Sequence, residues 1–249
     1  MGVERKNIYR EGKQELKDLR LKEAINEVHR NHPAYGHKRL ALELKVGKNS
    51  ILRVMKIFGI KPPRRKSHFY TTKSTSHHSY TNLIKDRPVT KPHELWCSDL
   101  SYIKFQGKFW YLATIVDIFT RQVVAAQMGK YHNSELVLQT IKQAIINTKK
   151  SPQIFHSDQG TEFMAKLCTD YLEGLEVKVS ASDKASPWQN GYQESFFGKF
   201  KDECGDLNRF DTAGELIEAV YQQIHYYNHD RIHTALKMPP AEYARLVTE

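Results

Sequence analysis

The chain has 249 residues, which is enough to bury one sizeable core and a small second domain. No stretch approaches the ~20 consecutive apolar residues of a membrane-spanning helix, and no charged-then-apolar leader precedes an export site, so we expect an intracellular, cytoplasmic protein. The three cysteines, an odd number without CxxC spacing, argue against a disulfide framework and a structural zinc site.

Charge is unevenly distributed along the chain. Residues 1–92 contain 22 Lys and Arg against 8 Asp and Glu, whereas residues 93–249 contain 16 against 20. A basic front half joined to a mildly acidic back half indicates an arm that binds a polyanion, attached to a body that binds metal. The alternative is a merely solvated basic surface.

Residues 16–60, which follow a polar tail over residues 1–15, form a candidate DNA-binding domain. Apolar residues recur at spacings of 0, 3, 4 and 7 in the first and third of three predicted short helices, and a turn containing Gly47 precedes the third. Three short helices with such a turn favour a helix-turn-helix bundle. A helical bundle used only for packing or dimer contacts is the alternative.

Three basic side chains of the third helix are candidate phosphate contacts. Lys48, Arg53 and Lys56 lie off the apolar stripe of that helix. Contacts of this kind position a protein on DNA without reading its sequence.

Residues 61–92 read as a basic linker. The segment loses periodicity and gains prolines, serines and threonines. Its basic cluster of Arg64, Arg65 and Lys66 suits an arm that lies along DNA, where phosphate attraction dominates affinity.

The back half alternates strand and helix patterns from about residue 93. An antiparallel meander of three strands is predicted first, then a helix, and a right-handed crossover through that helix would lay the fourth strand parallel to the first. The second strand, FWYLATIV (109–116), is apolar without alternation, as expected of a central strand covered on both faces. Residues 206–249 are predicted to form a C-terminal helix and a tail packed on this core. In the tail, Tyr227, Asn228 and Arg231 are expected to be structural, with a DNA contact through Arg231 as the alternative.

Two aspartates and a glutamate are candidate ligands of a metal. Asp99 lies in the middle of LWCSDLSYI (95–103), although aspartate is depleted in strands. Asp158 follows an apolar strand, and Glu194 comes 35 residues after it on a predicted helix. Carboxylates facing a desolvation penalty usually have a partner or a metal, and Mg²⁺ prefers carboxylate oxygen.

The helix around Glu194 has two distinct faces. Spacings of four and seven residues place Asn190, Glu194 and Lys201 on one stripe. Phe196 and Phe200 fall roughly opposite and would hold the helix on a core.

These residues and their flanks resemble one family. HSDQG (156–160), PWQNGYQESFFGKFKDE (187–203) and YYNHDRIHTALKMPPAEY (226–243), with the three acids, are similar to the DDE-type insertion-sequence transposases of the integrase-core, second-reading-frame subfamily, which are related to retroviral integrases. The resemblance covers about residues 20 to 245. It implies an α/β fold: an RNase H-like catalytic core (93–205), a mixed five-stranded sheet with flanking helices, preceded by the small helix-turn-helix-like domain.

The resemblance also implies an activity, a polynucleotidyl transfer in two steps. Water attacks first to expose a 3′-OH at the element's end, and that 3′-OH then attacks target DNA. Asp99, Asp158 and Glu194 would hold two Mg²⁺ ions, for which Mn²⁺ is an accepted substitute. The implied partners are the element ends, target DNA, further copies of the chain on DNA, and a fused or separate upstream-frame product in a bacterial, nucleoid-associated setting.

Further DNA contacts follow from position relative to Glu194. Asn190 and Lys201 match residues that contact DNA ends in the family, and Lys184 lies in the preceding loop, ASDKASPWQ (181–189). A helix cap and a solvated lysine are the alternative roles of Asn190 and Lys201. For the whole chain, an RNase H-like nuclease that cuts without joining and a domesticated, non-catalytic DNA-binding factor stay open.

Overall fold

The computed structural model describes residues 5–63, 80–85, 87–182 and 191–248, with only the backbone described for residues 5–11. Its chain divides into two compact units, residues 5–63 with Ile232–Lys237, and the described residues from Tyr80 to Arg231 with 238–248. None of the helices in these ranges has the length and apolar character needed to cross a membrane.

The first unit is a three-helix bundle. Its helices are α1 (Arg5–Asn31), α2 (His37–Glu43) and α3 (Lys48–Ile57). The three helices share one buried apolar cluster, as the spacing of their apolar residues predicts. Its members are Ile25, Tyr35, Leu40, Ile51, Val54 and Met55. Burial of this stripe, rather than helix propensity, stabilises such short helices.

Two boundaries of the first unit differ from those expected. Helix α1 begins at Arg5, inside the segment expected to be a tail, because a run of Arg, Lys, Glu and Gln has high helix propensity without needing a hydrophobic stripe. Ile232–Lys237, expected to pack on the catalytic core with the rest of the tail, groups with this unit instead. Ile232 packs against its core and donates its N–H to Tyr35 Oη at 2.8 Å.

The second unit is built on a mixed five-stranded sheet, as predicted. The strands are β1 (Leu95–Phe105), β2 (Lys108–Asp117), β3 (Val123–Gly129), β4 (Ile154–Ser157) and β5 (Lys178–Ala181). They lie in the order β3-β2-β1-β4-β5. The first three form the antiparallel meander, and β4 pairs parallel to β1, which confirms the expected crossover.

Helices cover both faces of the sheet. They are α4 (Ser134–Thr148), α5 (Lys166–Glu173), α6 (Gly191–Cys204) and α7 (Ala213–His229), and α8 (Pro240–Thr248) packs against α7. One core lies between the sheet and α4 with α5, and a second between the sheet and α6 with α7. Phe196 and Phe200 are buried in the second core, which confirms the predicted inner face of α6.

Strand β2 is covered on both faces over only part of its length. From Leu112 to Asp117 every residue is buried, as the apolar run predicts. Its first residues are not, and Phe109 is 54% exposed. The prediction was wrong there because the hairpin end is covered on only one face, where Leu207 and Phe210 pack with Phe105 and Trp110, and an unbroken apolar run cannot reveal which face is left open.

The end of α7 is attached to the sheet by side chains. The side-chain amide of Asn228 bonds the backbone of Val123 as a neighbouring strand would. Its Oδ1 accepts the Val123 N–H and its Nδ2 donates to the Val123 carbonyl, both at 2.9 Å. Tyr227 Oη donates to the Arg121 carbonyl at 3.1 Å. Arg231 is fully buried and donates from Nε to both carboxylate oxygens of Glu203 at 2.8 Å. These residues are therefore structural, and a fully buried Arg231 offers no contact to DNA.

Candidate active site

Strand pairing places Asp99 and Asp158 side by side. The parallel register joins Cys97 on β1 to His156 on β4, and each aspartate lies two residues further along its strand direction. Because side chains alternate between faces with period two, the Asp99 carboxylate lies on the face of Cys97, which α6 and α7 cover, and Asp158 directly follows the end of β4, where its Oδ1 accepts the Gly160 N–H at 3.0 Å. The structure therefore brings together two of the three predicted acids, at the carboxyl end of β4.

The electrostatics of the pair are those of crowded, poorly solvated carboxylates. Burial and the charge of Asp158 raise the pKa of Asp99 to about 7, while the Leu100 N–H and the charge of Lys201 oppose that rise. Desolvation also raises the pKa of Asp158 above its usual range, although its side chain is open to solvent on one side. Such a pair is costly to ionise unless a cation lies against it.

A fourth acid, Glu162, belongs to the same site and was not predicted. Its carboxylate and that of Asp158 both lie over Gly160, where a Cβ would come 2.6 Å from Glu162 Oε1 and 3.0 Å from Asp158 Oδ1. A side chain at residue 160 would therefore have to displace these two carboxylates. Glu162 Oε1 lies 3.2 Å from His132 Nε2, and its charge contributes to the raised pKa of Asp99. The available signal was a second acid four residues after Asp158, within HSDQGTEF.

Helix α6 is attached to the strand of Asp99 by a buried polar side chain. Gln193 is fully buried, donates from Nε2 to the Cys97 carbonyl and accepts from Thr114 Oγ1 at 3.3 Å. Thr114 is the residue opposite Asp99 across the β1–β2 ladder. Gln193 was also missed, although a polar residue on the stripe of the buried phenylalanines was a usable signal.

Glu194 follows Gln193 and is exposed in the first turn of α6. Further along this helix, Lys201 lies near enough to affect the pKa of Asp99. Helix α6 therefore contacts the strand of Asp99 just before Glu194, through Gln193, and lies near Asp99 again after it, at Lys201. Even so, within the described ranges no three His, Cys, Asp or Glu side chains are placed to hold one metal ion, so Glu194 does not join the aspartates here.

The other predicted contacts are placed unequally. Lys184 and Asn190, like the linker residues Arg64, Arg65 and Lys66, lie outside the described residues. Lys48 and Lys56 are exposed on α3, off its buried stripe, as the sequence predicts.

Arg53, the third predicted contact on α3, has an intramolecular partner. It binds Asp18 with both terminal nitrogens, Nη2 lying 2.7 Å from Oδ1. Hydrogen bonding to Arg53 lowers the pKa of Asp18. The bidentate pair joins α3 to α1, so Arg53 has a structural role whether or not it also contacts DNA.

His156 and Gln159, on either side of Asp158, stabilise the strand ends. The imidazole of His156 is fully buried and lies 2.9 Å from Ser180 Oγ and 3.1 Å from Ser182 Oγ. Gln159 Nε2 donates to the Ser182 carbonyl at 3.0 Å. These bonds hold the carboxyl ends of β4 and β5 together beneath the aspartate pair.

This sheet order, with two aspartates adjacent on β1 and β4 and a glutamate on a neighbouring helix, defines an RNase H-like core of the polynucleotidyl-transferase class. Models of the integrase core domain match residues 89–187 and 175–240. The chain belongs to the DDE-type insertion-sequence transposases, which are related to retroviral integrases, and it is an enzyme of that family.

Sequence relatives span nearly the whole chain. A transposase for insertion sequence element IS904 of Lactococcus lactis is 30% identical over 91% of this chain and 94% of its own length. A transposase-like protein of Haemophilus influenzae is 30% identical over 82% and 96%. A putative transposase for IS150 of Escherichia coli is 28% identical over 90% and 82%.

Solved structures agree on the fold. The catalytic core of HTLV-2 integrase, in complex with magnesium, superposes with a TM-score of 0.52 at 18% identity over 62% of this chain and 97% of its own. A simian T-cell lymphotropic virus intasome superposes with 0.57 at 17% identity over 88% and 73%.

Integrase-core enzymes generally depend on a divalent metal, and the aspartate pair fits one. Asp99 and Asp158 are adjacent and desolvated and repel each other, and their carboxylate oxygens are the donors that hard divalent cations prefer. Glu194, on the helix beside them, offers a third oxygen donor.

The raised pKa of Asp99 predicts a pH-dependent cost in stability. Between the ordinary pKa of aspartate, 3.8, and about 7, the folded protein holds a proton that the unfolded chain has lost, so raising the pH through this window favours unfolding. After allowance for partial exposure, we expect a cost of about 2 kcal/mol at pH 8 without divalent metal.

Chemical denaturation of the wild type and of Asp99→Asn at pH 5 and pH 8 measures this cost. The comparison between the two proteins is needed because His156, whose pKa burial lowers to about 4, contributes a pH dependence of opposite sign. Asp99→Asn should gain stability relative to the wild type at pH 8 but not at low pH, and saturating Mg²⁺ should remove that gain. An equal difference at both pH values would contradict the raised pKa.

Proposed function

We propose that this chain hydrolyses the ends of its insertion sequence and joins the exposed 3′-OH groups to target DNA, both in the site of Asp99, Asp158 and Glu194. The observation that supports it most is the adjacency of the two desolvated aspartates: burial, and then the charge of Asp158, raise the pKa of Asp99 to about 7. Two carboxylates that repel each other do not stabilise the fold, but they suit the binding of cations beside a phosphodiester.

The three acids have distinct places in this proposal. Asp99, on the central strand, would bridge two Mg²⁺ ions, with Mn²⁺ as a substitute, and Asp158 and Glu194 would each complete one. Two such ions, when bound, make the attacking oxygen nucleophilic and neutralise the leaving oxygen. Helix α6 would position Glu194 beside the aspartates, and the hydrogen bonds of Gln193 to Cys97 and Thr114 support that placement.

The basic side chains would position DNA. Lys201 lies on the site's side of α6 and would bind a phosphate near Asp99, with Asn190 and Lys184 on the approach to it. Lys48 and Lys56, and to a lesser degree Arg53, would contact phosphates from a helix-turn-helix-like unit, and the linker cluster would extend that contact. We expect DNA at the bacterial nucleoid, at least a dimer on paired ends, and an upstream-frame product, fused or separate, as the protein's partners.

Strand joining is the experiment that tests this function. A labelled duplex with the element's end sequence, a target plasmid and Mg²⁺ should give first a shortened strand and then a joined product. Glu194→Gln should abolish both products, whereas Glu218→Gln, an exposed acid on α7, should leave them unchanged. Cut product without joined product would establish the nuclease alternative. DNA binding without either product would establish the non-catalytic factor.

A further inference from the structure

The first turn of α6 is held by side-chain contacts on two sides of the helix axis. Gln193 is buried and hydrogen-bonds the strands beneath the helix. The residue before it, Tyr192, is 47% exposed, and its ring lies under the guanidinium of Arg121, whose Cζ is 4.2 Å from the ring centroid. The residue after it is Glu194. The aromatic contact therefore lies within one helical turn of the third predicted acid.

Arg121 is fixed at the turn between β2 and β3. Its backbone N–H donates to the Asp117 carbonyl at 2.8 Å, and its own carbonyl accepts from Tyr227 Oη at 3.1 Å. Arg121 lies at φ 62°, in the left-handed region where glycine is less strained, so the turn itself gives no reason for an arginine. The side chain therefore reaches α6 from a backbone that the sheet and α7 hold in place.

The guanidinium of Arg121 is poorly solvated. Its Nη1 is buried and has no hydrogen-bond partner among the described residues. Burial raises the pKa of the Cys97 thiol and the charge of Arg121 opposes that rise, so the guanidinium also lies near the strand residue whose carbonyl Gln193 bonds. Because a cation is attracted to an aromatic ring more strongly where water is excluded, the ring of Tyr192 is a favourable partner for this charge.

Tyr192 and Glu194 lie on opposite flanks of α6. Successive residues of an α-helix are about 100° apart, so these two side chains lie on either side of the buried Gln193. Lys201, seven residues after Glu194, shares its flank, and the charge of Lys201 opposes the rise that burial causes in the pKa of Asp99. That flank therefore faces the aspartates, whereas the flank of Tyr192 faces the β2–β3 turn. A rotation of the first turn about the helix axis would move Glu194 relative to Asp99 and would also break the aromatic contact.

We propose that Arg121 is a positioning residue: through the ring of Tyr192 it sets the rotation of the first turn of α6 and so directs Glu194 toward the aspartates. This deepens the proposed function and rests on it, because Glu194 matters here as a ligand of a divalent cation. The hydrogen bonds of Gln193 fix the distance of the helix from the strands, whereas a contact on one flank is needed to fix its rotation. Removing the ring or the guanidinium should therefore affect metal binding only through Glu194.

The test measures Mn²⁺ binding by calorimetry to protein that holds a pre-cleaved end duplex lacking its 3′-OH, which cannot react. Wild-type protein should bind two ions. Tyr192→Leu, which keeps an apolar side chain without a π face, should bind one of them about fivefold more weakly. Tyr192→Phe keeps the ring and should match the wild type. Arg121→Met should match Tyr192→Leu, and combining these two changes should cause no further loss.

Two comparisons separate positioning from a general effect on the fold. Tyr171→Leu removes a ring that lies under Lys142 on the other face of the sheet, and its Mn²⁺ affinity should equal that of the wild type. In a Glu194→Gln background, Tyr192→Leu should have no further effect on Mn²⁺ affinity, because the lost contact acts through Glu194. An equal loss in both backgrounds, or no loss in either, would overturn the proposal.

The same titrations distinguish this proposal from the function on which it rests. If Glu194→Gln weakens Mn²⁺ binding and Tyr192→Leu does not, only the positioning role fails. If Glu194→Gln leaves Mn²⁺ binding unchanged, Glu194 is not a ligand, and its place in the active site fails together with the positioning role. Wild-type protein that shows the expected coupling but yields no joined product supports the positioning role and overturns the catalytic function.

Discussion

Replacing Asp99 or Asp158 by asparagine is expected to lower end cleavage and strand joining by about 10³-fold, because removing a ligand forfeits several kcal/mol of charge stabilisation in the transition state. The amide keeps the shape of the side chain and removes the charge that attracts a cation. DNA affinity should be retained, since phosphate contacts come from basic side chains elsewhere in the chain.

Single-turnover assays with end-labelled DNA and saturating enzyme measure this loss without interference from binding. Asp170→Asn, an exposed aspartate on α5, is the matched control and should retain full rates. Because Asp99→Asn relieves repulsion between the aspartates, its stability at pH 8 should rise while its activity is lost. A variant that lost both would point to misfolding, and one that kept its activity would remove that aspartate from the site.

Much of the fold could be predicted because its information is local. The meander, the crossover helix and the parallel fourth strand follow from apolar patterning and connection rules, and the structure has them in the expected order. The adjacency of Asp99 and Asp158 is what the RNase H-like resemblance implies, since in that architecture an acid on the first strand and an acid at the end of the parallel fourth strand are neighbours.

Other parts of the site depend on distance in space, which patterning does not encode. Glu162 becomes a neighbour of the aspartates only through the tight turn at Gly160, and its link to His132 joins segments 30 residues apart. Gln193 contacts strands about 80 and 96 residues away. Each residue had a weak local signal, a second acid in a turn and a polar group on a buried stripe, but nothing in the sequence gives its partner.

Exposure was the other quantity that periodicity could not supply. The apolar run of β2 is buried from Leu112 onward, whereas Phe109 near its beginning is exposed, because the hairpin end is covered on only one face, by the segment around Leu207 and Phe210. Arg53 lies off the apolar stripe as predicted, yet it faces Asp18 on a neighbouring helix rather than solvent alone. A residue outside a hydrophobic stripe can face water, DNA or another charge, and only the packing of whole helices decides which.

The buried pair of Arg231 and Glu203 gives the largest stability effect that we expect. Arg231→Met should destabilise the second unit by about 3–5 kcal/mol, because the carboxylate of Glu203 stays buried without the guanidinium that neutralises it. Urea denaturation followed by circular dichroism measures the loss. Arg30→Met removes a surface pair with Glu27 in which both side chains are largely exposed, and it should cost less than about 1 kcal/mol.

The double variant Arg231→Met/Glu203→Leu tests what the pair is for. Nη1 and Nη2 of Arg231 have no hydrogen-bond partner among the described residues, so the ion pair is incompletely satisfied and an apolar pair should restore most of the stability. Glu203 is on α6, the helix of Gln193 and Glu194, and Arg231 follows α7. If stability returns and joining does not, the charges orient α6 against the aspartates. If both return, packing alone places Glu194, and if neither returns, the pair is needed for the fold itself.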